Sequence, residues 1–167
     1  MKNIRVAFFK GKGRLRDRFI RRWTKSKYSH VEIVIPDRHW WLGINPPESP
    51  IVRKNISIGY NDLDWDFIDI AVSESELDLI IRFYNLTKNK KYDWIGMVIS
   101  HLTPFKVKHI DKWYCSEWVL YALQYAGVIN GCLAVKNEMP PSLVYEMLSE
   151  IKNLESIPID IKNYTVH

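Results

Sequence analysis

The stretch YSHVEIVI at residues 28–35 decides how this chain folds. Val, Ile and Tyr favour strands, and apolar side chains alternate here with His30 and Glu32, which is the period of a strand. His30 and Glu32 share one face because successive side chains of a strand point to opposite sides. The residues of the other face are Val31, Ile33 and Ile35. The stretch therefore predicts a strand with an apolar face and a polar pair.

A second informative stretch, WYCSEWV at residues 113–119, opens a predicted helix far downstream. A helix N-terminus and a neighbouring imidazole both favour the thiolate form of a cysteine. Cys115 and His30 are therefore a candidate nucleophile and base, provided that the fold brings them together. The backbone N–H of Ser116 could then donate to a developing oxyanion.

The third polar member of such a site is predicted to be Glu32. It lies two residues from His30, about 6.6 Å along a strand, so its carboxylate can orient the imidazole and stabilise its charged form. His39 and Asn45, on or after the adjacent predicted strand, are the alternative partners. Glu32 could also be an ordinary solvated charge on an exposed strand face.

The rest of the sequence predicts an α+β fold in which a mostly antiparallel sheet packs against helices, with the candidate nucleophile at a helix N-terminus. At 167 residues, with 47% hydrophobic residues, the chain is expected to form a single domain over residues 1–167. The predicted strands cover residues 4–9, 29–35, 39–44, 51–57, 65–72 and 156–164. The predicted helices cover residues 14–25, 73–89, 94–101, 113–126 and 139–151.

The net charge of +5 is concentrated in residues 10–27, where Asp17 is the only acidic residue. Leu15, Phe19 and Trp23 recur there every four residues, so we expect an amphipathic helix whose apolar stripe packs against the core. Its cationic face is either simply solvated or contacts an anionic polymer. The residues predicted for that contact are Arg14, Arg18, Arg21, Arg22 and Lys25. No motif for sequence-specific nucleic-acid recognition accompanies them.

The remaining composition favours a protein without a disulfide framework or a bound metal. Cys115 and Cys132 are too few for such a framework and indicate a reducing compartment, with Cys132 expected to be a small buried hydrophobe. No zinc-type spacing is found, so neither a metal nor a cofactor is predicted. The side chains that a metal site could draw on are His30, His39, His101, His109, Cys115 and Cys132. The sequence predicts no transmembrane segment and no signal peptide, and we expect a cytoplasmic location.

With these residues in hand, the chain resembles the circularly permuted branch of the NlpC-type cysteine peptidase superfamily. That branch includes YiiX-like proteins, small bacteriophage proteins and, more distantly, lecithin:retinol acyltransferase-like enzymes. The resemblance rests on SHVEIV at residues 29–34, Arg53 followed by Trp65, KYDWIG at 91–96, KWYCSEWV at 112–119 and PPSL at 140–143. It implies a permuted papain-like fold, in which the histidine strand precedes the cysteine helix. It also suggests a bacteriophage or bacterial origin, and for a phage-encoded chain the expected location is the host cytoplasm.

The resemblance also implies the roles of three residues: Cys115 as nucleophile, His30 as general base and Glu32 as orienting residue. It implies hydrolysis or transfer at an amide, ester or thioester carbonyl through an acyl-enzyme. The Ser-Gly that follows the cysteine in non-permuted relatives is Ser116-Glu117 here, so details of their substrate pocket are not transferred.

Three functions are compatible with the sequence. The first is a cysteine amidase or endopeptidase whose substrate is a peptide or peptidoglycan amide. The second is a hydrolase of lipid or acyl amides, or an acyltransferase, with an apolar pocket formed by Trp40, Trp41, Trp113 and Trp118. The third is a catalytically idle binding module that presents the basic helix to an anionic partner.

Overall fold

A computed structural model describes residues 1–45, 49–56, 62–92, 112–129 and 139–155. This part of the chain contains four α-helices and a sheet, which confirms the predicted α+β class. None of the described helices is long and apolar enough to cross a membrane. The strands are β1 (Lys2–Phe9), β2 (His30–Ile35), β3 (Trp40–Asn45), β4 (Ser49–Ile56), β5 (Trp65–Val72), β6 (Lys91–Tyr92) and β7 (Lys112–Trp113). The helices are α1 (Leu15–Thr24), α2 (Glu74–Thr87), α3 (Cys115–Tyr125) and α4 (Pro141–Glu155).

Five strands form the main sheet in the order β5-β1-β2-β3-β4, and every neighbouring pair is antiparallel. At the β4 edge, β6 pairs antiparallel and β7 pairs parallel to β6. Phe9 at the end of β1 faces His30 at the start of β2, and Gly43 of β3 faces Arg53 of β4. The candidate residues of β2 therefore lie in the middle of the sheet, with β3 and β4 to one side.

Both faces of β2 are buried, because two separate apolar clusters cover them. Val31, Ile33 and Ile35 belong to the large cluster, which includes the inner side of α3. Val34 belongs to a smaller cluster on the other face, with Ala7, Trp41 and Trp65. The alternation predicted for this strand is confirmed, and its polar face is covered by protein as well.

The helices largely follow their sequence signals. Ser73 caps α2 as predicted: its hydroxyl accepts from the N–H of Glu76 at 3.2 Å, and its own N–H donates to the Glu76 carboxylate at 2.6 Å. The predicted buried side of α3, which consists of Val119, Leu120, Leu123 and Ala126, is buried. Gly127 follows α3 with a φ of +77°, which suits a residue without a side chain.

One helix boundary differs from its prediction, and some predicted elements lie outside the described residues. The helix predicted from Trp113 begins instead at Cys115, because residues 112–113 pair with β6 as a strand. The predicted helix at 94–101 and the predicted edge strand at 156–164 lie outside the described residues. So do His101, His109 and Cys132.

The prediction that the apolar stripe of α1 packs against the core is wrong for Leu15 and Phe19. Leu15 is 81% exposed and Phe19 is 57% exposed. The other side of the helix faces the protein: Asp17 is buried, and it accepts from the N–H of Arg14 at the start of the helix at 2.8 Å. The Arg21 guanidinium donates to the carbonyl oxygen of Gly11 and, at 2.9 Å, to that of Lys12. The side chain of Trp23 is not among those that the structure describes.

The orientation of α1 predicts an unusual tolerance to polar substitution. We expect Leu15→Ser/Phe19→Ser to change the free energy of unfolding by less than about 1 kcal/mol, since exposed sites contribute little. Leu120→Ala, at a fully buried position of α3, should cost about 2–5 kcal/mol. Urea denaturation of both variants measures this, and a loss of more than about 2 kcal/mol in the α1 variant would place the stripe in the core.

Candidate active site

His30, the first residue of β2, is 4% exposed and lies at one end of the sheet. Its Nε2 is 2.7 Å from Oε1 of Glu32, two residues along the same strand. The ring of Trp65 meets the imidazole edge-on, with ring centroids 6.2 Å apart. The imidazole is therefore shielded from water and held at one of its two nitrogens.

Glu32 is 2% exposed, so it is buried rather than a solvated charge. Arg53 of β4 donates to both carboxylate oxygens, from Nη1 to Oε2 at 3.0 Å and from Nη2 to Oε1 at 3.0 Å. This bidentate geometry makes a strong, charge-assisted pair of hydrogen bonds between a guanidinium and a carboxylate. Glu32 is thus held between two cationic partners, Arg53 and the ring of His30.

Gly43 provides the space that this carboxylate occupies. A Cβ atom at residue 43 would lie 2.9 Å from Cγ of Glu32, which is closer than real Cβ contacts come. Because Gly43 is the cross-strand partner of Arg53, the Glu32 side chain passes over the glycine to reach the guanidinium. A glycine inside a strand commonly marks such a close approach.

Cys115 is the first residue of α3 and is 7% exposed. Its side chain forms a hydrogen bond with the imidazole of His30. The same imidazole therefore interacts with the thiol of Cys115 and, through Nε2, with Oε1 of Glu32. The structure therefore brings Cys115, His30 and Glu32 together in one row.

Two opposing effects act on the pKa of His30. Burial lowers it, but hydrogen bonds and electrostatic interactions with Cys115 and Glu32 raise it to about 9. For Glu32, burial raises the pKa, and the opposing hydrogen bonds and charges of His30 and Arg53 outweigh it and leave the pKa below its ordinary value. At neutral pH the row holds an imidazolium beside an ionised carboxylate.

The other residues considered for orienting the imidazole lie differently. His39 is exposed, follows the short 3₁₀ turn after β2 and has a φ of 53°, so it sits at the end of the strand remote from His30. Asn45 is the last residue of β3, at the His30 end of the antiparallel pair. Glu32 is the residue whose carboxylate contacts the His30 ring, at 2.7 Å.

Ser116 is 2% exposed and lies in the first turn of α3. The N–H groups of a first turn have no acceptor within their own helix, so that of Ser116 is suited to donate to an anion beside Cys115. Glu117, in the same turn, is 7% exposed. No group of three His, Cys, Asp or Glu side chains among the described residues could hold a metal ion.

The sequence did not predict two features of this site: the space that Gly43 leaves for Glu32, and the pairing of Arg53 with Glu32. The one available signal for the glycine was its place inside the apolar run WWLGI at residues 40–44. No family model, curated protein or solved structure matches the chain.

The raised pKa of His30 predicts a titration that can be observed directly. We expect the ring to lose its proton near pH 9, well above the ordinary value of 6.5. Because the folded state binds this proton more tightly than the unfolded state, protonated His30 stabilises the fold. This stabilisation is fully present below pH 6.5 and is lost as the pH rises to about 9. NMR of ¹⁵N-labelled histidine measures the midpoint. Glu32→Gln should lower it, and an unchanged midpoint in that variant would contradict the role of the carboxylate.

Because Glu32 fills the space beside Gly43, a single methyl group added at residue 43 should change both the stability of the protein and the site. Gly43→Ala should destabilise the protein by about 1–3 kcal/mol, because the new Cβ displaces the Glu32 side chain from Arg53. It should also lower the pKa of His30 in the same NMR titration. A variant with wild-type stability and an unmoved His30 midpoint would show that Glu32 has room to spare.

Proposed function

We propose that this protein is a cysteine hydrolase with a permuted papain-like arrangement, in which Cys115 is the nucleophile and His30 its acid–base partner. The observation that carries the proposal is the buried row in which His30 contacts Glu32 at 2.7 Å and hydrogen-bonds Cys115 at the start of α3. A thiol, an imidazole and a carboxylate in sequence are the groups that acyl transfer through a covalent intermediate requires.

The first half of the reaction forms the acyl-enzyme. His30 holds the proton of the Cys115 thiol, and the thiolate Sγ attacks the substrate carbonyl carbon, which places a negative charge on the carbonyl oxygen. The Ser116 N–H donates to that oxygen. The intermediate collapses by expelling the amine or alcohol, which takes the proton from the His30 imidazolium and leaves a thioester on Cys115.

The second half returns the enzyme to its starting state. Neutral His30 removes a proton from a water molecule as the water oxygen attacks the thioester carbon. The carboxylic acid leaves, and Cys115 departs as a thiolate beside a newly formed imidazolium. Glu32 stabilises that imidazolium at both stages, and Arg53 is a positioning residue that acts through Glu32.

Peptide amides, including those of peptidoglycan, are the substrates proposed first, on the basis of the resemblance described above. Hydrolysis of lipid or acyl amides, or acyl transfer, is the second candidate. It is favoured by one observation, the exposure of Leu15 and Phe19 on a basic helix, which fits a protein that acts on apolar substrates. The idle binding module is less well supported, because a solvated or purely structural role does not explain a buried His30 hydrogen-bonded to a cysteine.

Alkylation by iodoacetamide tests the reactive thiol without knowledge of the substrate. At about pH 6.5 an ordinary thiol is only about 1% thiolate, so an activated Cys115 should react at least about tenfold faster than Cys132 in the same chain. The measurement is the rate of labelling at each cysteine by mass spectrometry. Labelling of Cys115 no faster than that of Cys132, in protein shown to be folded, would favour the idle module.

Matched variants separate chemistry from folding. His30→Gln should abolish the rapid labelling of Cys115, whereas His39→Gln, which changes an exposed histidine, should leave it intact. Cys115→Ala should lose all turnover of a substrate found by screening, while its unfolding midpoint stays close to that of the wild type. Glu32→Gln should lower turnover less than His30→Gln does, since it removes an orienting group rather than the base itself.

A further inference from the structure

We infer that α1 docks the protein on the surface of a bilayer that contains anionic lipids. The helix carries exposed Leu15 and Phe19 one turn apart, and Arg18 and Arg22 are exposed on the same helix. A short helix with cations beside large apolar side chains is the pattern of a segment that lies in the membrane interface. This inference does not depend on the proposed catalysis.

The outward orientation of these side chains is built into the fold. The opposite side of α1 carries Asp17, which is buried and accepts from the N–H of Arg14 at the start of the helix. It also carries Arg21, whose guanidinium donates to carbonyl oxygens of the loop at residues 10–12. Arg21 therefore does not belong to the anion-facing set predicted from the sequence. With this side turned toward the protein, the helix exposes Leu15 and Phe19.

Charge and apolar area together favour lipid over other anionic partners. A polyphosphate or nucleic acid needs cations but gains little from an exposed leucine. A bilayer binds both cationic and apolar side chains. Each Arg or Lys near an anionic leaflet increases partitioning about fivefold, and apolar side chains insert below the head groups. The further exposed cations of this segment are Lys12, Arg14 and Lys25.

The position of α1 relates this surface to the candidate site. The helix lies within the connection from β1 to β2, which closes where Ser29 donates to the carbonyl of Phe9 at 3.0 Å. Phe9 is the cross-strand partner of His30. Docking through α1 thus acts on the connection that borders the His30 end of the sheet. If the proposed function holds, its substrates would be carbonyl compounds carried at that surface.

The test is co-sedimentation of the full chain with vesicles at physiological ionic strength. Vesicles of phosphatidylcholine with about one-third phosphatidylserine should sediment the wild type at least tenfold more strongly than vesicles of phosphatidylcholine alone. Leu15→Ser/Arg18→Gln should lower that partitioning by at least tenfold. The matched control, Leu86→Ser/Arg82→Gln, removes one exposed leucine and one exposed arginine from α2 and should change partitioning by less than twofold.

Two results would overturn the inference. The first is equal partitioning of the α1 variant and the α2 control, or no sedimentation of the wild type. The second is wild-type vesicle binding by Leu15→Ser/Phe19→Ser together with equally tight binding to a single-stranded oligonucleotide, which would make the helix a general polyanion contact. Cys115→Ala should bind vesicles as the wild type does, so a failure of docking and a failure of catalysis are distinguishable.

Discussion

The burial of the Glu32 carboxylate is the constraint on which the rest of this structure depends. Removing an ionised carboxylate from water costs several kcal/mol, and only close cationic partners with good hydrogen bonds offset that cost. Arg53 supplies two such bonds and His30 a third. Because these residues lie on β4 and β2, the register of three adjacent strands must hold for the pairing to exist. A slip of one residue would turn Glu32 to the opposite face.

A different kind of force positions the thiol. The inner side of α3 packs in the main apolar cluster, and Trp118 anchors the helix to α2 by donating from its indole N–H to the Thr87 hydroxyl at 2.9 Å. Cys115 therefore sits where apolar packing places the first turn of α3, whereas His30 sits where the ion pair of Glu32 holds it. The two meet at the ends of their elements. Independent constraints of this kind fix the geometry of a site more firmly than mutual contact alone.

The sequence predicted those parts of the fold that depend on local pattern. The alternation in residues 28–35 located β2, and the Ser73 and Glu76 pair located the start of α2, because both signals depend on near neighbours. Gly43 and Arg53 could not be assigned in this way, since their role arises from pairing between strands. The orientation of α1 could not be predicted from the pattern either. Periodicity shows that a helix has an apolar stripe, but it does not show which side faces the protein. In α1 that side carries the buried Asp17 and Arg21, which bonds to the loop at residues 10–12.

The same bonds explain why the α1 face and the row of Cys115, His30 and Glu32 need not be coupled energetically. Arg21 ties α1 to the loop at residues 10–12, and the hydrogen bond from Ser29 to Phe9 closes the connection before β2 begins. Substitutions on the outer face of α1 should therefore leave the position of the His30 imidazole unchanged. The imidazole contacts Glu32, and Arg53 of β4 holds Glu32 in place. The fold therefore keeps the exposed face of α1 apart from the buried side chains of Cys115, His30 and Glu32, although α1 connects to the same end of the sheet.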